Sequence, residues 1–102
     1  MRCQHVGCGT QALKFLESAQ SLPDLIVCDV HMPDMNGFDF LRRVRQDSHT
    51  KQISIIMLTS DASVETELSL IESGADVFLT KTQDPRILCA HARRLIDKRR
   101  AA

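Results

Sequence analysis

The feature that most constrains this chain is a short apolar run that ends abruptly in polar groups, repeated three times. Leu25-Ile26-Val27-Cys28 stops at Asp29, Ile53 to Leu58 stops at Thr59-Ser60-Asp61, and Val77-Phe78-Leu79 stops at Thr80-Lys81. Runs this short, apolar at successive positions, suit strands buried on both faces, as in the middle of a parallel sheet. Between them apolar residues recur at helical spacing: Ala12, Leu13, Leu16 and Ala19; Phe38, Leu41 and Val44; Val64, Leu68 and Ile71; Leu88, Ala92 and Leu95. The punctuation agrees. Thr10 can cap a first turn, Pro23 stops the helix before the first run, and Pro33-Asp34-Met35-Asn36 forms a turn before Gly37. Gly74 is placed to end the third helix in a left-handed conformation, and Asp84-Pro85 pairs an N-cap with proline at the first helical position.

Alternation of strand and helix implies right-handed crossovers and a parallel sheet whose strand carboxyl ends gather along one edge, where open α/β sheets place their sites. Asp29, Thr59 and Lys81 are therefore predicted to converge in one shallow pocket. A carboxylate can attack phosphorus to form an acyl phosphate, while an ammonium and a hydroxyl hold the oxygens over which charge is spread. Taken singly, each residue has a plainer reading as a turn opener, a cap or a solvated charge. The three together point to phosphoryl transfer.

Composition narrows the classes. With 102 residues, 43% of them hydrophobic and 25% charged, the chain is expected to form one folded domain, residues 1–102. Lys plus Arg and Asp plus Glu both number 13, so no net field steers it to nucleic acid or an anionic membrane. Arg93, Arg94, Lys98, Arg99 and Arg100 cluster near the carboxyl end, where they complement a helix dipole; without Trp or Tyr there is no stacking platform for single strands. Runs such as Ile55 to Leu58 fall far short of the roughly 20 apolar residues a membrane-spanning helix needs. Met1 to His5 has no apolar stretch of a secretory signal, so a cytoplasmic location is expected. Cys3, Cys8, Cys28 and Cys89 show no paired spacing and read as reduced, mostly buried thiols, and His5, His49 and His91 show no ligand spacing.

Three stretches in order resemble the receiver family of two-component response regulators: Pro23 to Phe38 (PDLIVCDVHMPDMNGF), Ile56 to Ser60 (IMLTS) and Gly74 to Lys81 (GADVFLTK). The resemblance runs from about Val6 to Arg94 and implies a flavodoxin-like three-layer fold of about four strands and four helices. It implies Asp29 as phosphoacceptor, Thr59 as switch hydroxyl, Lys81 as the phosphoryl-binding lysine and Phe78 as an aromatic whose rotamer reports the state. Core packing is an equal reading for Phe78. His31 and Asp61, each two residues beyond a site residue, fall where the family tunes phosphorylation lifetimes. The implied partners are a histidine kinase or phosphotransfer protein in a phosphorelay, and the chain itself is not expected to be an enzyme.

Two departures bear on chemistry. Thr82 follows the lysine where the family usually has a cis proline, and cis costs a non-proline residue roughly 2.5–4 kcal/mol. The family's opening strand, with its acidic pair, and its first helix have no counterpart before Cys3 to Cys8, so the fold is expected to be incomplete at its amino end. Mg²⁺, which prefers octahedral oxygen ligands, would then find only Asp29 and the His31 backbone carbonyl, with Asp34 or Asp61 as conceivable replacements. Weak or absent Mg²⁺ binding and slow phosphorylation are expected. The family's strand order, 2-1-3-4-5, puts the absent strand at the centre. Either Cys3–Cys8 then pairs directly with Leu25–Asp29 or a second chain fills the gap, and a homodimer that covers a bare apolar face is expected.

Two rival readings are carried alongside. One is a pseudo-receiver that keeps the fold as a protein-binding or dimerisation module. The other is an aspartyl-nucleophile phosphatase resembling the haloacid-dehalogenase family, which wants a second acid where this chain has His31.

Overall fold

The computed structural model describes residues 3–6, 9–18, 22–31, 34–61, 63–81 and 84–101. Strands β1 (Cys3–Val6), β2 (Leu25–Asp29), β3 (Ser54–Thr59) and β4 (Val77–Thr80) alternate with helices α1 (Gly9–Ser18), α2 (Gly37–Gln46), α3 (Val64–Glu72) and α4 (Pro85–Ala101). All neighbouring strands pair in parallel, in the order β1-β2-β3-β4. Of the two arrangements left open by the sequence, direct pairing is the one that forms: Cys3 lies opposite Leu25 and Val6 opposite Cys28.

Strand alternation divides the core. Ile26, Cys28, Ile55 and Met57 join Leu16 of α1, Phe40, Leu41 and Val44 of α2, and Leu70 of α3 on one face. On the other, Leu25, Val27, Ile56 and Leu79 meet only α4, through Ala92 and Ile96 with Leu88 and Leu95 beside them. Among the described residues, three helices thus cover one face and a single helix the other. Phe78, half-buried, packs against the first of these clusters.

Local chemistry sets the helix ends. Asn36 caps α2, its side chain accepting from the Phe38 N–H at 2.7 Å, and Ser63 caps α3 by accepting from Thr66 N–H at 3.2 Å. Asp84 accepts from Arg86 N–H at 2.9 Å at the start of α4, and Gly74 takes φ of 110° after α3, both as the sequence implies. The α1 cap differs from expectation: Asp34 reaches back across the fold to accept from Gly9 N–H at 3.0 Å and Thr10 N–H at 2.8 Å.

Helix α3 also departs from its apparent pattern. Val64, Leu68 and Ile71, the residues at helical spacing, are 65%, 53% and 52% exposed, while Leu70 carries the burial. The helix lies with its Leu70 side inward. Among the cysteines, Cys28 is buried, but Cys89 is exposed, contrary to expectation, because it sits on the solvent side of α4. Thr82, and with it any consequence of the missing proline, lies outside the described residues, as do Cys8 and the side chains of Cys3 and His5. Among the described residues, no helix is long and apolar enough to cross a membrane.

Candidate functional site

Register places the site. Asp29 ends β2 opposite Leu58, and Thr59 ends β3 opposite Thr80, so Lys81 is the first residue past β4 on that edge. Two further backbone bonds extend the ladder beyond the strands, Val30 N–H to the Leu58 carbonyl and Lys81 N–H to the Thr59 carbonyl, both 2.9 Å. These bonds hold the two charged residues at fixed heights on adjoining strand ends.

The turn after Asp29 is held by close backbone approach. Gly37 N–H donates to the Val30 carbonyl at 2.7 Å, and a Cβ on Gly37 would meet Val30 Cα at 2.7 Å and the Asp29 carbonyl at 2.8 Å. Only glycine lets the start of α2 lie against the Asp29–Val30 backbone, which explains its place in the turn sequence.

Lys81 Nζ lies 3.8 Å from Asp29 Oδ1, with the lysine side chain 45% and the aspartate side chain 24% exposed. Both line a cavity of about 300 Å³ with Leu58, Leu79, Thr80, Asp84, Pro85 and Leu88. Thr59 is not one of its lining residues. Alternation puts Asp29 and Lys81 in phase with Val27 and Leu79, toward α4, and Thr59 in phase with Met57, toward α2 and α3. Thr59 is 1% exposed, and its hydroxyl accepts from Asp61 N–H at 3.0 Å. Asp29 and Lys81 meet in the cavity, and Thr59 ends the strand between theirs, with its hydroxyl buried against the Asp61 turn.

The flanking residues are committed locally. Asp61 accepts from Ser63 N–H at 2.9 Å and from the Thr66 hydroxyl at 2.7 Å. The Thr66 hydroxyl, then the Ser63 N–H, hold the Asp61 carboxyl below the usual carboxylate range, with the nearby His31 acting in the same direction. His31 itself bridges to Asn36 across the turn. Behind Asp29, burial and then the Asp29 charge push the Cys28 thiol up to about 12, so it stays protonated and inert. Its Sγ donates weakly to the Asp29 carbonyl at 3.3 Å.

These commitments decide what a metal would find. Asp34 already accepts from the first turn of α1, and Asp61 from the Thr66 hydroxyl of α3. Among the described residues no three His, Cys, Asp or Glu side chains are grouped to hold a metal ion. Asp29 is a single carboxylate already facing an ammonium, and these residues do not by themselves fit Mg²⁺, which wants several oxygens in octahedral array. Sequence reasoning missed the Asp34 cap because its partners lie 24 and 25 residues away, and missed Asp84 as a cavity residue because its local role as a cap accounts for it.

Comparison with known proteins identifies the family. Residues 1–93 match the family described as the response regulator receiver domain. The chain is 35% identical over 81 residues to the DNA-binding dual master transcriptional regulator RpaA of Synechocystis, covering 79% of this chain and 34% of that protein. It is 38% identical over 78 residues to the response regulator PleD of Caulobacter vibrioides, covering 76% of this chain and 17% of that protein. The chain therefore spans about a third or less of the length of these curated relatives. Among solved structures, a putative response regulator from Chloroflexus aurantiacus superposes with a TM-score of 0.81 at 30% identity, over 90% of this chain and 74% of that one. The chemotaxis response regulator CheY4 of Vibrio cholerae gives 0.76 at 34% identity, over 88% of this chain and 73% of that one.

Proposed function

Because the chain belongs to the response-regulator receiver family of two-component signalling, we propose that Asp29 is its phosphoacceptor and that Lys81 steadies the transferred group. The observation that carries this reading is the 3.8 Å approach of Lys81 Nζ to Asp29 Oδ1 at the sheet's carboxyl edge, in an open cavity. An Asp29 oxygen attacks phosphorus, the bond to the donor's imidazole nitrogen breaks, and its electron pair returns to the imidazole. The ammonium of Lys81, already beside the acceptor, pairs with a non-bridging oxygen of the arriving group. One phosphoryl group is taken up per chain, so the domain is a substrate of its partner kinase or phosphotransfer protein rather than an enzyme.

Thr59 enters as the switch. Its oxygen accepts from Asp61 N–H in the resting arrangement, which leaves its O–H able to donate to an added phosphate. Turning toward that phosphate withdraws it from the Asp61 turn, which caps the approach to α3 through Ser63 and Thr66. Phe78, half-buried among the residues under α2 and α3, is positioned to feel that shift. His31 and Asp61, each two residues beyond a site residue and near enough for the His31 charge to act on Asp61, tune the lifetime of the acyl phosphate.

The thin donor set supports weak or absent Mg²⁺ binding and slow transfer, and it is also what favours a second reading. In that reading the chain keeps the receiver fold as a binding module, and a homodimer covers the sheet face that α4 alone protects. Both readings place the domain in the cytoplasm. Phosphoramidate with and without Mg²⁺, read by intact mass, tests the first. Gain of one phosphoryl group by the chain but not by Asp29→Asn supports the acceptor role; no gain under any donor leaves the binding module. Release of phosphate from a generic ester by the chain would instead favour the phosphatase.

A further inference from the structure

The cavity beside Asp29 combines two kinds of surface. Its walls are Leu58, Leu79, Leu88 and Pro85, and its mouth carries the Asp29 carboxylate and the Lys81 ammonium. These opposite charges stand 3.8 Å apart, beyond hydrogen-bond length, so each keeps capacity for another partner. Asp84, the remaining charge on the lining, is engaged by the Arg86 guanidinium at 2.6 and 3.1 Å, and that pair adds little net field.

We propose that this cavity binds a small zwitterion with a branched aliphatic body, the chemistry of a free leucine-like amino acid. Charge complementarity selects that class. A lone anion would meet Lys81 but also Asp29, and a lone cation would meet Asp29 but also Lys81. An α-amino acid presents both signs on adjacent groups, so its carboxylate faces Lys81 and its ammonium faces Asp29, while the side chain lies against the leucines. The volume of about 300 Å³ is at the lower end for ligand pockets and suits a molecule of this size. So few contacts place the dissociation constant in the millimolar range. Occupancy would compete with phosphoryl donors for Lys81; this competition, unlike the binding, rests on the phosphoacceptor reading.

Methyl-detected NMR of the chain labelled at leucine, isoleucine and valine tests it, with L-leucine, isoamylamine and isocaproate as probes. The expected result is saturable shifts at Leu58, Leu79 and Leu88 with leucine, about fivefold weaker binding of each single-charge probe, and the same loss for leucine in Lys81→Met. No saturable shift with leucine would overturn the proposal. So would three probes binding alike or an unchanged affinity in Lys81→Met, either of which marks an apolar cleft without charge recognition. The titration is independent of the mass gain that reports phosphorylation, so either idea can fail alone. Leucine slowing that mass gain supports the competition, and an unaltered rate at saturating leucine refutes it.

Discussion

The two edges of the sheet are built in opposite ways. At the amino edge, Arg45 donates to the carbonyls of Gly74 at 2.9 Å and Lys51 at 2.8 Å, to that of Ile53, and to Asp76 at 2.9 Å. Asp76 accepts in turn from Ile55 N–H at 2.7 Å, and the Thr50 hydroxyl closes the corner on the Val44 carbonyl at 2.8 Å. At the carboxyl edge, Asp29 and Lys81 face each other at 3.8 Å across an open cavity. One edge spends its charges on backbone groups and on one another; the other keeps them available. Stability is thus concentrated at the end of the sheet away from the chemistry.

Substitutions can break that contrast. Arg45→Ala strands three carbonyls and Asp76 together, and is expected to cost about 2–4 kcal/mol in urea unfolding. Next comes Gly37→Ala, where the new Cβ meets Val30 Cα at 2.7 Å; it should cost about 1–3 kcal/mol and displace the Asp29 turn. If Gly37→Ala were neutral, the close approach would not be what holds the acceptor loop. By contrast Lys81→Ala should change stability by no more than about 1 kcal/mol, since a half-exposed pair contributes little, while slowing phosphorylation markedly. A loss for Lys81→Ala as large as that for Arg45→Ala would erase the distinction between the edges.

The smallest effect concerns pH. Asp61 has its folded carboxyl lowered, so its stabilising contribution is present above the ordinary carboxylate range of roughly pH 4 and is lost as pH falls through the folded value. The thermal midpoint of the chain should therefore exceed that of Asp61→Asn near neutrality, and the two should draw together in acid. A gap that persisted below that range would mean the Asp61 carboxylate is not the group responsible.

Much of this was legible beforehand because short apolar runs with polar ends leave few topologies open. The parallel order, the positions of Asp29 and Lys81 on one edge, and the caps at Asp84 and Gly74 all follow from local pattern. What was not legible depends on distant partners. That the Thr59 hydroxyl is buried and accepts from Asp61 N–H, while Asp29 and Lys81 line the cavity, depends on how the turn after β3 folds. Val64, Leu68 and Ile71 have helical spacing but stand outside, because the way α3 seats on the sheet turns Leu70 inward. Asp34 and Arg45 each find partners more than 20 residues away, which no window of sequence reveals.

The central claim is that Asp29 receives the phosphoryl group. After treatment with phosphoramidate, borohydride reduces an aspartyl phosphate to homoserine, and peptide mass mapping then locates it. Homoserine at position 29, and its absence in Asp29→Asn, is the result expected; homoserine at another aspartate, or none at any donor concentration, would contradict it.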